Sequence, residues 1–170
     1  MLKLICAMDD NGGIGLRGHL PWPPNKEDMQ FFKYTTLYCP IIMGRKTWEN
    51  FGHLGKRLNV VLSRTMPQVD MADHWVVRTV DEALLIAESD YRVAYVIGGA
   101  ETYSMFAPHA SELLLTHIPG EHKADTFMPQ SVLDEFPVIE DMSVSSLIIE
   151  KRVRYAVPPS VLRLAEPAAR

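Results

Sequence analysis

The sequence has only two cysteines, Cys6 and Cys39, in 170 residues. Two are too few for a disulfide framework. Each lies in or beside an apolar, strand-like run, so both are expected to be reduced thiols of a cytoplasmic protein. A basic excess is also missing: 17 Lys and Arg stand against 21 Asp and Glu, a formal net charge of −4. Broad nucleic-acid binding needs a basic face, so no nucleic-acid partner is expected. Apolar runs are short. The longest, such as those at residues 4–8 and 93–97, fall far below a bilayer span. The opening MLKLICAMDD meets two aspartates where a secretory leader would carry its apolar core, and no membrane partner is expected. The six histidines show no ligand spacing, and HExxH, CxxC and acidic calcium loops are absent, so no metal is expected. His117 and His122 are read as structural or exposed. GxSxG is missing, as are GxGxxG and GxxxxGK followed by Ser or Thr, which removes the nucleophile elbow, the dinucleotide fingerprint and the P-loop.

What is present is ordinary globular composition, 47% hydrophobic and 22% charged, which excludes disorder as the main state. The length suits one domain able to bury about two thirds of its unfolded surface. Strand and helix signals alternate. Strands are expected at residues 2–8, 41–43, 58–62, 75–77, 93–97 and 113–118, with a final antiparallel pair at 138–143 and 147–157. Helices are expected at 26–37, from RKTWENF, at 81–88 and at 101–106. Residues 9–24, with Gly12, Gly13, Gly15, Gly18 and three prolines, read as a long loop. The pattern predicts a single-domain α/β fold, a central, mostly parallel twisted sheet of about eight strands with an antiparallel C-terminal edge strand, flanked by about four helices. The domain is expected to span 1–157. Residues 158–170, with Pro158, Pro159 and Pro167, read as a C-terminal tail of unassigned role. A monomer is the default.

In such folds ligands bind beyond the carboxyl ends of strands, and the informative residues sit there. Gly44-Arg45-Lys46-Thr47 follows one strand and opens a helix, Ser63-Arg64 follows the next, and Gly98-Gly99-Ala100 follows a third. Helix N–H groups, cations, hydroxyls and glycines that admit close backbone approach together suit a ligand with several phosphates, such as a nucleotide. The plainer alternative is that these cations only cover the sheet edge. Glu27 and Asp28 open the 26–37 helix. Either carboxylate stabilises a helix N-terminus by ~0.3–1 kcal/mol. If one turns into an apolar cleft, burial raises its pKa and suits it to proton donation or relay. Adjacent helical residues point ~100° apart, so only one is expected inside, and the pattern alone does not choose between them. Leu20-Pro21-Trp22 in the glycine-rich loop suits a mobile lid, and the planar fork of Arg57 suits a carboxylate.

In order and spacing, Ile5-Cys6-Ala7, Gly13-Ile14-Gly15, Leu20-Pro21-Trp22, Ile42-Met43-Gly44-Arg45-Lys46-Thr47-Trp48, Leu62-Ser63-Arg64, Val96-Ile97-Gly98-Gly99, Leu115-Thr116-His117-Ile118 and Asp125-Thr126-Phe127 resemble the dihydrofolate reductase family. Each block alone is weak, but in register across residues 1–129 they are specific. The WPPNKED stretch resembles the longer vertebrate version of its loop, and residues 53–56 look one residue shorter. The resemblance implies that Asp28 is the acid, with Phe31 and Phe32 after it and Thr116 hydrogen-bonded to it. Arg57 would clasp the glutamate carboxylate of folate. Arg45, Lys46, Thr47, Ser63 and Arg64 would contact the phosphates of NADPH, with Arg64 and Arg45 at its 2′-phosphate. Gly98 and Gly99 resemble a pair joined by a cis peptide. The resemblance places Ala7, Ile14, Gly15, Leu20, Ile97 and Tyr103 at the nicotinamide end. It adds Gly44, Leu62, Ala100, Glu101, Thr102 and Thr126 to the cofactor contacts. Ile5, Cys6, Ala7, Met29, Phe32, Phe51, Leu54 and Ile97 would wall the folate. Leu20, Trp22 and Tyr103 join Asp28 and Thr116 as candidates around the chemistry.

The implied activity is hydride transfer from NADPH to the C6=N5 imine of 7,8-dihydrofolate, giving tetrahydrofolate for one-carbon metabolism and thymidylate synthesis. Dihydrofolate and antifolate-type small molecules are the expected partners. A related reductase acting on a pyrimidine or another pterin would keep the phosphate turns and lose the set of Asp28, Thr116 and Arg57. A non-catalytic folate or nucleotide binder would not need the acid and the lid.

Overall fold

The computed structural model describes residues 1–89, 92–142 and 147–154. The expected tail at 158–170 and the expected turn at 143–146 lie outside the described residues. In chain order the elements are β1 (Leu2–Asp9), β2 (Gly13–Gly15), α1 (Lys26–Thr36), β3 (Pro40–Gly44), α2 (Arg45–Phe51), β4 (Leu58–Leu62), β5 (Asp70–Met71), β6 (His74–Val77), α3 (Val80–Glu88), β7 (Ala94–Gly98), α4 (Ala100–Phe106), β8 (Glu112–Ile118), β9 (Thr126–Phe127), α5 (Gln130–Glu135), β10 (Val138–Asp141) and β11 (Ile148–Val153). A 3-10 turn, Ala107–His109, follows α4.

Among the described residues the main sheet has nine strands in the order β10-β11-β8-β1-β7-β3-β4-β6-β5. The run from β8 to β6 is parallel. The ninth strand is the two-residue β5, antiparallel to β6. At the other side β11 lies antiparallel to β8, and β10 lies antiparallel to β11 as the outermost strand. The expected α/β sheet is therefore present, with five α-helices among the described residues where about four were expected.

Side chains alternate across this sheet with the period of two that a strand imposes. Leu4, Ile42, Val60, Val96, Leu113 and Leu115 face one layer, where Ala83, Ala87, Phe106 and Val132 of α3, α4 and α5 cover them. Ile5, Ile41, Met43, Val61, Tyr95 and Leu114 face the other, beneath Phe31 and Phe32 of α1 and Trp48 of α2. Continuous apolar strands such as β3 are buried on both faces, which is why they read as runs and not as alternation.

Residues 9–24 depart from the plain loop expected of them. β2 lies within them, pairs with β9 in a separate two-stranded sheet, and is followed by the tight Leu16–His19 turn. Residues 13–15 carry little β signal by themselves; the partner strand supplies the order.

Candidate active site

The first turn of α1 settles which carboxylate turns inward. The Asn25 side chain caps the helix, accepting from the N–H groups of Glu27 at 3.0 Å and Asp28 at 3.1 Å. Glu27 is exposed, whereas Asp28 is buried. Burial raises the pKa of Asp28, and a hydrogen bond from the Thr116 side chain partly opposes the rise. Thr116 is held by register: it lies opposite Ala7 where β8 pairs with β1. Beneath the acid, Cys6 is buried and its thiol is pushed up to about 12 by that burial, so no thiolate chemistry operates there. The Tyr103 hydroxyl donates to the Ile5 carbonyl at 2.8 Å and ties α4 to β1. Burial raises its pKa further, so it stays a neutral hydroxyl.

Outward from Asp28, Ile5 packs in one apolar cluster with Phe32, Leu54 and Ile97. Met29 and Phe51 are 56% and 47% exposed and lie outside that cluster. Arg57 is buried and immobilised. Its Nε donates to Thr36 Oγ1 at 2.8 Å, Nη1 to the Gly55 carbonyl at 2.8 Å, and Nη2 to the Lys33 carbonyl at 3.0 Å. The guanidinium also lies 5.8 Å from the centre of the Phe32 ring. A guanidinium has five N–H donors, so one N–H on each terminal nitrogen remains uncommitted, a fork suited to a carboxylate.

The phosphate-friendly turns meet at a topological switch point. After β3 the chain moves toward β4 on one side, and after β7 it moves toward β8 on the other, so α2 and α4 diverge from adjacent strand ends. Gly44 and Gly99 cap these helices without a side-chain hydrogen bond. The peptide between Gly98 and Gly99 is cis. A Cβ on Gly44 would come within 2.8 Å of Thr102 Oγ1, and one on Gly99 within 3.8 Å of Thr47 Oγ1. The two helix starts therefore form a narrow cradle lined by hydroxyls that any side chain larger than glycine would narrow. Ala100 and Glu101 continue its α4 edge, and Glu101 is exposed.

Further along, Ser63 follows Leu62 at the end of β4 and accepts from the N–H groups of Thr65 and Met66 with its hydroxyl, which fixes the turn that carries exposed Arg64. Arg45 is paired with Glu49 at 2.6 Å on the surface of α2, and Lys46 is exposed. Sequence reasoning missed Arg78. It stands just after β6, the next parallel strand end, and its Nη1 donates to the Ser63 carbonyl. Its strand-end position was the available signal.

Over the opposite end lies the 9–24 segment. Trp22 is buried, its indole Nε1 has no partner among the described residues, and its ring meets that of His122 edge-on at 5.9 Å. Leu20 is 40% exposed. The segment is anchored at both ends of its turn. Asp9 accepts from the N–H groups of Gly13 at 2.8 Å, His122 at 2.8 Å and Asn11 at 3.1 Å. Burial works to raise this carboxyl, but those donors outweigh it and hold it below the usual range. Asp125 accepts from the N–H of Arg17 at 2.7 Å, and its own N–H donates to the Gly15 carbonyl. Ile14 packs partly buried against the core, and Gly15 sits against Thr126, a β9 neighbour.

No group of three or more His, Cys, Asp or Glu side chains among the described residues is placed to hold a metal ion. No helix among them is long and apolar enough to cross a membrane.

A buried acid in the first turn of α1, a guanidinium fixed at the end of the same helix, and a string of cations, hydroxyls and glycines across the switch point agree with the comparisons with known proteins. The family model for dihydrofolate reductase matches residues 1–152. The dihydrofolate reductase of Sus scrofa is 31% identical, with 91% of this chain and 94% of that protein covered. The type 9 dihydrofolate reductase of Escherichia coli is 32% identical, with 83% of each covered. The solved dihydrofolate reductase from Enterococcus faecalis, complexed with NADP(H) and RAB-propyl, superposes with a TM-score of 0.81 at 28% identity, covering 92% of this chain and 97% of that one. The chain therefore belongs to the dihydrofolate reductase family.

Proposed function

We propose that this protein reduces 7,8-dihydrofolate to 5,6,7,8-tetrahydrofolate with NADPH. The observation that carries the reading is buried Asp28 at the start of α1, with Thr116 acting on its carboxyl, and three-point-anchored Arg57 at the end of the same helix. The eight residues from Asp28 to Thr36, which holds Arg57, rise about 12 Å along α1; a flat, polar pterin with an acidic tail suits a carboxylate and a guanidinium set apart in that way, and we take the ground between them as the substrate cleft. The related-reductase alternative would lack this set, and all of it is present.

When bound, NADPH supplies the hydride that reduces the C6=N5 imine. The residues of the chain orient and exclude. Asp28 fixes the pterin amino group and raises the proton affinity of N5, a role that burial and the Thr116 hydroxyl tune. Ile5, Ala7, Met29, Phe32, Phe51, Leu54 and Ile97 wall the substrate, and Arg57 holds its carboxylate. Gly44, Thr47, Thr102, Gly98, Gly99 and Ala100 form the pyrophosphate cradle. Arg64, with Arg78 held at the Ser63 carbonyl before it, would meet the 2′-phosphate, and Arg45 and Lys46 would add cations. Ile14, Gly15, Leu20, Trp22 and Thr126 close over the nicotinamide end and exclude water. Antifolate-type molecules occupy the same cleft. The two free thiols suit a cytoplasmic protein, and we take it to act as a monomer.

The test is the loss of NADPH absorbance on adding dihydrofolate to purified protein, with NADH in parallel. Rapid consumption with preference for NADPH is expected. Tight NADPH binding without consumption would instead favour a non-catalytic binder.

A further inference from the structure

Asn59 is fully buried among apolar neighbours in β4, yet every polar atom of its amide is used. Oδ1 accepts from the N–H of Leu54 at 3.0 Å. Nδ2 lies 3.1 Å from the Leu54 carbonyl, 3.1 Å from the Arg57 carbonyl and 3.2 Å from the Asp73 carbonyl. Its backbone N–H also donates to Asp73. The segment it grips has little conformational preference of its own. Gly52 and Lys56 have φ of 64° and 60°, and Gly55 follows Leu54 directly. From the α1 side the turn is also held by the Tyr38 N–H donating to the Lys56 carbonyl at 2.8 Å and by the Arg57 guanidinium, which bonds Thr36, Lys33 and the Gly55 carbonyl. Besides Asp73 on the neighbouring β5–β6 turn, the amide fixes the backbones of Leu54, a wall of the cleft, and of Arg57, which carries its guanidinium.

We propose that Asn59 is a positioning residue for the acidic half of the substrate: it sets the 54–57 turn so that Leu54 and Arg57 meet the aminobenzoyl-glutamate. The inference rests on the reductase reading and narrows it. Asn59 touches neither the pterin end nor the cofactor cradle, so its loss separates substrates by their tails.

The experiment measures Asn59→Ser against wild type with two substrates, dihydrofolate and a 7,8-dihydropterin lacking the aminobenzoyl-glutamate. Equilibrium binding of NADPH and of folate is followed by fluorescence quenching. KM for dihydrofolate and Kd for folate are expected to rise about tenfold, the loss of one well-placed charged hydrogen bond. KM for the truncated pterin and Kd for NADPH should stay within about twofold. In an Arg57→Lys background the same substitution should add little, because it acts through Arg57. Insertion of one glycine between Gly55 and Lys56, which loosens the turn without touching a buried group, should reproduce the selective rise even if Asn59→Ser does not fold. An equal rise for both substrates, or no change for either, overturns the role of Asn59 and leaves the reductase reading standing. A wild-type protein that neither binds folate nor reduces dihydrofolate overturns both.

Discussion

Asp28 shows how one side chain sets stability against chemistry. Its folded pKa is raised by burial, so its contribution is most favourable below its unfolded pKa and is lost as pH rises through the folded one. Above that pH the folded protein holds a carboxylate that burial disfavours. Asp28→Asn is therefore expected to raise Tm at pH 7, with the gain shrinking as pH falls into the ordinary carboxylate range. The same variant should keep NADPH binding and lose about a hundredfold or more of kcat/KM at neutral pH, the usual worth of a positioned proton-transfer group. Activity should recover as pH falls and the substrate protonates without help. A fully active Asp28→Asn beside an inactive Glu27→Gln would contradict this placement of the acid. The arginines at the far end divide differently. Arg64→Ala and Arg78→Ala should each weaken NADPH about ten- to hundredfold, as expected for a lost hydrogen bond to a charged group. NADH affinity should hardly change; equal losses for both cofactors would remove these residues from the 2′-phosphate.

The elements that were clearest in the sequence are those whose pattern is local. β4 was expected at 58–62 and spans those residues, and α2 is the RKTWENF segment. β2, β9 and α5 were missed because two, three or six residues carry too little periodicity, and their order comes from partners distant in the chain. β2 illustrates the cause. Gly13 lies between Asp9 and the 124–127 segment, and a Cβ there would sit 2.8 Å from Ala124 Cβ and 3.0 Å from Asp9 Oδ1. Gly13→Ala should destabilise the protein by about 1–3 kcal/mol through overpacking and lower kcat by loosening the anchor of the lid. Adding Ala124→Gly should restore part of the Tm. A Gly13→Ala protein of unchanged Tm would show that the lid base yields freely.

At the scale of the molecule, the β11 edge of the sheet is fastened by Arg154. β11 ends against the start of β8, pairing Val153 with Glu112. Arg154 then fastens the edge, its N–H donating to the Ser111 carbonyl and its guanidinium reaching Ala107 and Glu135. A chain ending at residue 157 is therefore expected to keep its Tm within a few degrees and its turnover unchanged. A marked loss of either would give the 158–170 segment a role in the domain. The sequence by itself determined the alternation of strands and helices, the buried parallel sheet, and the strand-end turns of glycines, cations and hydroxyls. These follow from side-chain periodicity and local backbone freedom, which are properties of neighbouring residues. Residue pattern left Asp28 and Glu27 undecided and only the resemblance chose between them; the tertiary structure shows that Asp28 turns inward, and it alone decided that Arg78 stands beside Ser63 and that Asn59 holds the turn carrying Arg57. Each of those depends on which distant backbone carbonyl or strand a side chain meets. That is fixed by sheet order and register, which local pattern does not encode.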